Sequence, residues 1–114
     1  MNYMLLVYHD EQHPEKASGC DGLAERLIES GHLRGGGILH PTSSATSLRV
    51  RGGRRLVTDG PFAETREQLA GYMLIEAKDL DDAMAVAEQH PVAAYGTVEI
   101  RPVLFAPVGP TVQQ

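Results

Sequence analysis

The residues through which this 114-residue chain could move a proton are its five histidines and an acid set at a corner, Asp59. Asp59 follows Val57-Thr58 and precedes Gly60-Pro61-Phe62. Its carboxylate can fold back onto the next backbone N–H groups as an Asx turn. Pro61 fixes its own φ and pushes Gly60 toward extended conformations, while Phe62 supplies an apolar anchor that can hold the turn against a core. A histidine within hydrogen-bond reach of such a corner would have its tautomer set and its pKa raised, as in a general acid–base pair. His90 is the candidate partner, because it ends a helical pattern whose C-terminal dipole favours imidazolium. The competing reading is local: Asp59 caps its own turn and His90 caps the helix.

The other reactive side chains carry weaker signals. His9 and His13 stand four apart, but Asp10 takes the place where a zinc-binding helix needs Glu, and Pro14 follows in a polar loop. No metal site is expected, and no cofactor. His32 follows Gly31 and His40 precedes Pro41, as helix-end and loop residues do. The single cysteine, Cys20, cannot form an internal disulfide and has no histidine placed beside it to activate it. Arg34-Gly35-Gly36-Gly37 follows a helix and enters a strand, the reverse of what cradling a pyrophosphate requires.

The elements that must position these residues follow from periodicity. Residues 3 to 8 are apolar on both alternating faces, as in a strand covered on two sides. Leu23, Ala24, Leu27 and Ile28 form a helical stripe that Ser18 or Asp21 can cap and Gly31 stops. Residues 35 to 39 read as a strand whose glycines suggest a bulge or close backbone approach. Residues 47–51 and 54–58 alternate about Gly52-Gly53 as a hairpin. Thr65 and Gln68 have capping-box spacing for one helical turn before a strand resumes at Tyr72. Asp79 caps a second helix striped by Leu80, Ala83, Met84 and Ala87, Pro91 ends it, and residues 97 to 104 form the last strand. The domain is thus expected over residues 1–104, with 105–114 a loose tail.

Two strand-helix-strand units, residues 3–39 and 72–104, match the split βαβ of a ferredoxin-like α+β fold with an inserted β-hairpin. In its antiparallel order, Tyr8, His9, His40, the Asp59 corner and His90 map to one edge of the sheet. The helices cover one face only, so a second copy should cover the other face of the first strand, in a homodimer.

The stretch Asp59-Gly60-Pro61-Phe62-Ala63-Glu64-Thr65-Arg66-Glu67-Gln68-Leu69-Ala70-Gly71-Tyr72 resembles the signature of the DGPF subgroup of YCII-related (YciI-like) proteins. The opening Asn2-Tyr3-Met4-Leu5-Leu6-Val7-Tyr8 and the closing Gly96-Thr97-Val98-Glu99-Ile100-Arg101-Pro102-Val103 extend the resemblance over roughly residues 1 to 104. It implies the same fold, a dimeric α+β barrel of face-to-face sheets, and a His/Asp dyad of the kind proposed for YciI-like proteins. Asp59 is carried over from the signature. His90 is inferred, because its position does not match the YciI histidine. The corner residues Gly60, Pro61, Phe62 and Glu64, with Tyr8, His9 and His40, are the expected binding residues.

Charge and composition bound the rest. The net charge of −5, with basic residues scattered except for Arg49, Arg51, Arg54 and Arg55, argues against nucleic acid. Those four arginines read as a solvated edge that discourages strand addition. No apolar run approaches the ~20 residues of a membrane span and no leader pattern opens the chain, so a complete cytoplasmic protein is expected. The reading is of a cofactor-independent enzyme of lyase or hydrolase type on a small organic molecule. The alternative is a non-catalytic dimeric module for a ligand or protein, which the resemblance links to sigma-factor regulation.

Overall fold

The computed structural model describes residues 1–12 and 22–104. Six strands and two helices run in chain order as β1 (Asn2–His9), α1 (Leu23–Glu29), β2 (Leu33–Ile38), β3 (Thr46–Arg51), β4 (Arg54–Asp59), β5 (Gln68–Glu76), α2 (Leu80–Ala87) and β6 (Thr97–Pro102). Short 3₁₀ turns at Thr42–Ser44 and Pro91–Ala94 precede β3 and β6. The main sheet has the order β2-β5-β1-β6 and every pairing is antiparallel. This is an α+β architecture whose strand order agrees with a ferredoxin-like split βαβ. β3 and β4 form a separate two-stranded sheet.

The period of two along β1 sorts its side chains. Tyr3, Leu5 and Val7 are buried, and Tyr3 and Leu5 pack with Ile75 against Leu23 and Leu27 of α1 and Ala83, Val86 and Ala87 of α2. Met4, Leu6 and Tyr8 point to the opposite face and stay half-buried. Fully burying a Leu or Ile contributes about 1.5–3 kcal/mol, so this single layer between sheet and helices holds most of the stabilising area.

The helix phases differ from the expected stripes. In α1, Leu23 and Leu27 are buried but Ile28 is exposed. In α2, Val86 joins Ala83 and Ala87 in the core, while Leu80 and Met84 turn outward. Both shifts have one cause: a seven- or eight-residue helix on a flat sheet touches it along a narrow line, so apolar residues one position off that line face water. Gly22, at φ 80°, is the N-cap of α1. The C-terminus of α1 closes as a Schellman motif, with His32 N–H donating to Leu27 O and Gly31 N–H to Ile28 O, Gly31 taking φ 82°. Asp79 caps α2, its carboxylate accepting from Asp82 N–H at 2.9 Å. Ser18, Asp21, Cys20, His13 and the tail 105–114 lie outside the described residues.

Two further local expectations are corrected. Thr65 and Gln68 do not open a helical turn; Thr65 Oγ1 donates to Glu67 O, Gln68 Nε2 donates to Thr65 O, and β5 begins at Gln68, four residues before Tyr72. The last strand ends at Pro102 rather than residue 104. The glycine strand does carry a bulge, between Leu33 and Gly35, and a close approach. A Cβ on Gly36 would stand 2.5 Å from Tyr72 O.

Candidate functional site

The strand period splits the residues that topology alone would gather at one edge. His9 lines a cleft of about 430 Å³ on the helix side of the sheet, together with His90 and Tyr95. Its walls are Val7, Leu23, Leu33, Ile38, Met73 and Val92, and its floor the backbone of Gly35–Gly37 and Gly71. Tyr8, one residue earlier, faces the other way. It lines a second cleft of about 670 Å³ with His40, Pro61 and Phe62. Asp59, Gly60 and Glu64 are in the lining of neither cleft.

The corner differs from the expected one. Asp59 closes β4, paired with Thr46, and is exposed; among the described residues its carboxylate accepts no hydrogen bond, so it forms no Asx turn. The corner is held instead through backbone: Gly60 N–H donates to Ala45 O at 2.7 Å and Ser47 Oγ donates to Gly60 O at 2.8 Å. Gly60 sits at φ 101° with open space where a Cβ would be, so glycine serves conformation here and not close approach. Phe62 is 80% exposed and anchors no core. A short turn between the two-stranded sheet and β5 has no layer above it into which a ring could go.

His90 is brought to the cleft by the end of α2. Its N–H donates to Ala87 O, Pro91 forbids another helical turn, and its Nδ1 accepts from Val92 N–H at 3.1 Å, capping the 3₁₀ turn. Burial lowers its pKa below the ordinary histidine value, the opposite of the expected rise. Removal of the ring from water disfavours its cation, and Asp59 is not among the causes of the shift. With Nδ1 accepting, the neutral ring carries its proton on Nε2.

His9 occupies the end of β1, and its Nδ1 is shut from solvent with no hydrogen-bond partner among the described residues. Gly96 fits against it: a Cβ there would meet Tyr8 O, Val92 Cγ1 and His9 Cβ. Buried polar atoms are nearly always paired, so this imidazole nitrogen is an exception to the rule. Sequence reading paired His90 with Asp59 and left His9 among the binding residues. The signal that could have joined the two histidines is parity along β1, since His9 shares the face of Val7 and Leu5.

On the open face Tyr8 OH donates to Glu99 Oε1 at 3.0 Å, and Arg101 Nη1 stands 3.8 Å from Glu99 Oε2. Burial first, then the Glu99 carboxylate, raise the Tyr8 phenol above its ordinary value. Away from both clefts, His32 Nδ1 lies 2.7 Å from Ser30 Oγ and its Nε2 3.2 Å from Asp82 Oδ1. This chain links the end of α1 to the start of α2. Asp82 is held below the usual carboxylate range, chiefly by the Lys78 N–H and also by His32. Among the described residues no group of three or more His, Cys, Asp or Glu is placed to hold a metal ion. None of their helices is long and apolar enough to cross a membrane.

Fold and site together define a small α+β protein with an apolar, histidine-bearing cleft under its helices. The chain belongs to the YCII-related domain family, whose model matches residues 1–106. It is 35% identical over 119 residues to an uncharacterized protein of Rhizobium meliloti (strain 1021), with 94% of this chain and 96% of that relative covered.

Proposed function

We propose that this YCII-related protein, of the DGPF type, is a cofactor-independent enzyme that moves a proton on a small, largely apolar organic molecule. The observation that carries the reading is that His9 and His90, eighty-one positions apart, line one apolar cleft. A volume of a few hundred Å³ with few polar groups suits a small ligand. His90 is the group retained from the acid–base reading, and His9 takes the place given to Asp59. A neutral imidazole with its proton on Nε2 is a hydrogen-bond donor suited to a carbonyl oxygen that gains charge. The His9 ring then accepts a proton from the adjacent carbon, giving an enolate held by His90, and returns it to carbon in the reverse step. The protein acts as a cytoplasmic homodimer, a second copy covering the open face of Met4, Leu6 and Leu74.

Hydrogen–deuterium exchange into a panel of enolisable ketones and lactones in D2O, followed by proton NMR, tests this. The wild type should exchange at least one member, and His9→Gln and His90→Gln should each abolish that exchange while keeping the native circular dichroism. Panel members bound in the cleft without exchange would sink the enzyme and leave the binding module. That second reading rests on Phe62, whose exposed ring beside the second cleft suits a docking partner.

A further inference from the structure

The cleft that holds His9 and His90 owes its floor to two positions that carry no side chain. Across the sheet, Gly36 of β2 lies opposite Met73 of β5, which lies opposite Leu5 of β1. In the next row Ile38 lies opposite Gly71, and Gly71 opposite Val7. Directly opposed residues share a face of the sheet, and Leu5 and Val7 are buried on the helix side. Gly36 and Gly71 therefore stand in the layer beneath the helices, on adjoining strands and in adjoining rows. The two backbones also approach closely there. A Cβ on Gly36 would stand 2.5 Å from Tyr72 O, and one on Gly71 3.0 Å from Gly37 O. What remains is a patch of bare peptide between Val7, Met73 and Ile38, one side-chain layer deep.

The polar groups gather at one end of this patch. His9 closes β1 two residues beyond Val7, about 7 Å along the strand, and His90 and Tyr95 flank the 3₁₀ turn beside it. Among the described residues of the lining none is Lys, Arg, Asp or Glu. A carboxylate or phosphate would enter without a counter-charge, which is costly where water is excluded. A flat ring touches bare peptide over its whole face, whereas a globular cage of the same atoms touches it at one point. Dispersion is summed over such contacts, so the floor favours the flat molecule.

We propose that the substrate is an uncharged, flat ring ketone or lactone, one face on the peptides of Gly36 and Gly71 and its carbonyl oxygen toward His9 and His90. Gly71 is the residue that selects for flatness. The inference rests on the reading of this cleft as the substrate site and names the class of molecule that the site takes.

Binding of three ketones to the wild type, followed by NMR shifts of the cleft amides, tests this. 1-Tetralone and camphor are uncharged ketones of equal carbon count that differ in flatness, and the third is 1-tetralone carrying a ring carboxylate. 1-Tetralone should bind about tenfold more tightly than either of the others. Camphor bound as tightly overturns the flat floor, and the carboxylate bound as tightly overturns the requirement for an uncharged ligand. Gly71→Ala raises the floor by one methyl, and β2, an edge strand, has to yield by only a few tenths of an ångström. With native circular dichroism, this variant should lose about tenfold in affinity for 1-tetralone and none for camphor. An equal loss of both ligands would assign Gly71 to strand spacing alone and overturn its selective role. 1-Tetralone bound but not exchanged in D2O keeps the flat site and sinks the proton transfer, whereas no ketone bound at all removes both.

Discussion

His90 was expected to be an imidazolium, and the structure reverses that electrostatics. A helix end and a distant acid both argued for imidazolium, but burial governs the ring and its pKa lies below the ordinary value. The linkage sign follows. The unfolded chain takes up the proton at about pH 6.5, before the folded chain does. Stability is therefore unaffected above that value and falls as the pH drops through the window down to the folded pKa. Urea midpoints at pH 7.5 and 5.5 should drop more steeply for the wild type than for His90→Gln, and NMR titration should place the His90 ring below a free imidazole. Gly96 carries a second prediction at this scale. An added methyl would meet Tyr8 O and, at 2.8 Å, Val92 Cγ1, so Gly96→Ala should cost roughly 1–3 kcal/mol by urea unfolding. It should also displace His9 and His90 together, visible as shifts of both ring signals.

At the scale of elements, the ends of the helices were easier to read than their faces. Asp79 and Gly31 were assigned from residue type alone, because an N-cap and a left-handed C′ position depend on local chemistry. Asp79→Ala should cost about 1 kcal/mol in urea unfolding, with loss of helical signal at 222 nm appearing first in α2. Asp82, beside it, joins α2 to α1 through His32 and Ser30. Its folded pKa is depressed, so its contribution is present above the ordinary carboxylate value of about 3.9 and vanishes as pH falls through the folded pKa. A double-mutant cycle of His32→Gln and Asp82→Asn should show coupling at pH 6 that declines as the pH falls below the ordinary carboxylate value.

For the whole molecule, one layer of side chains between sheet and helices provides the core. Leu5→Ala, at its centre, should cost about 2–5 kcal/mol, read as a fall in the thermal midpoint. The open face, the arm and the turn at Phe62 expose further apolar side chains, among them Tyr72, Leu48, Val50, Val57 and Phe62. Exposed apolar side chains gathered into a patch mark an interaction surface, which is why assembly is the first global property to measure.

The strands and their faces, the glycine bulge in β2 and the turn at Gly52-Gly53 could all be read from the chain. Each rests on a short-range rule: period two, glycine in strands, and glycine where φ is 57° and 77°. The sharing of one cleft by His9 and His90 could not be read the same way. Tyr8 and His9 are neighbours in sequence, yet the sheet sends them to opposite faces and into different clefts. Nor could local pattern tell that Phe62 lies outward or that Asp59 lines neither cleft. Turn chemistry shapes a corner, but only the packing of layers decides what that corner faces. The sequence by itself determined which elements form, because hydrogen-bond periodicity and backbone freedom are local; the tertiary structure alone decided which side chains share a cleft, because parity across the sheet and burial are properties of the assembled layers.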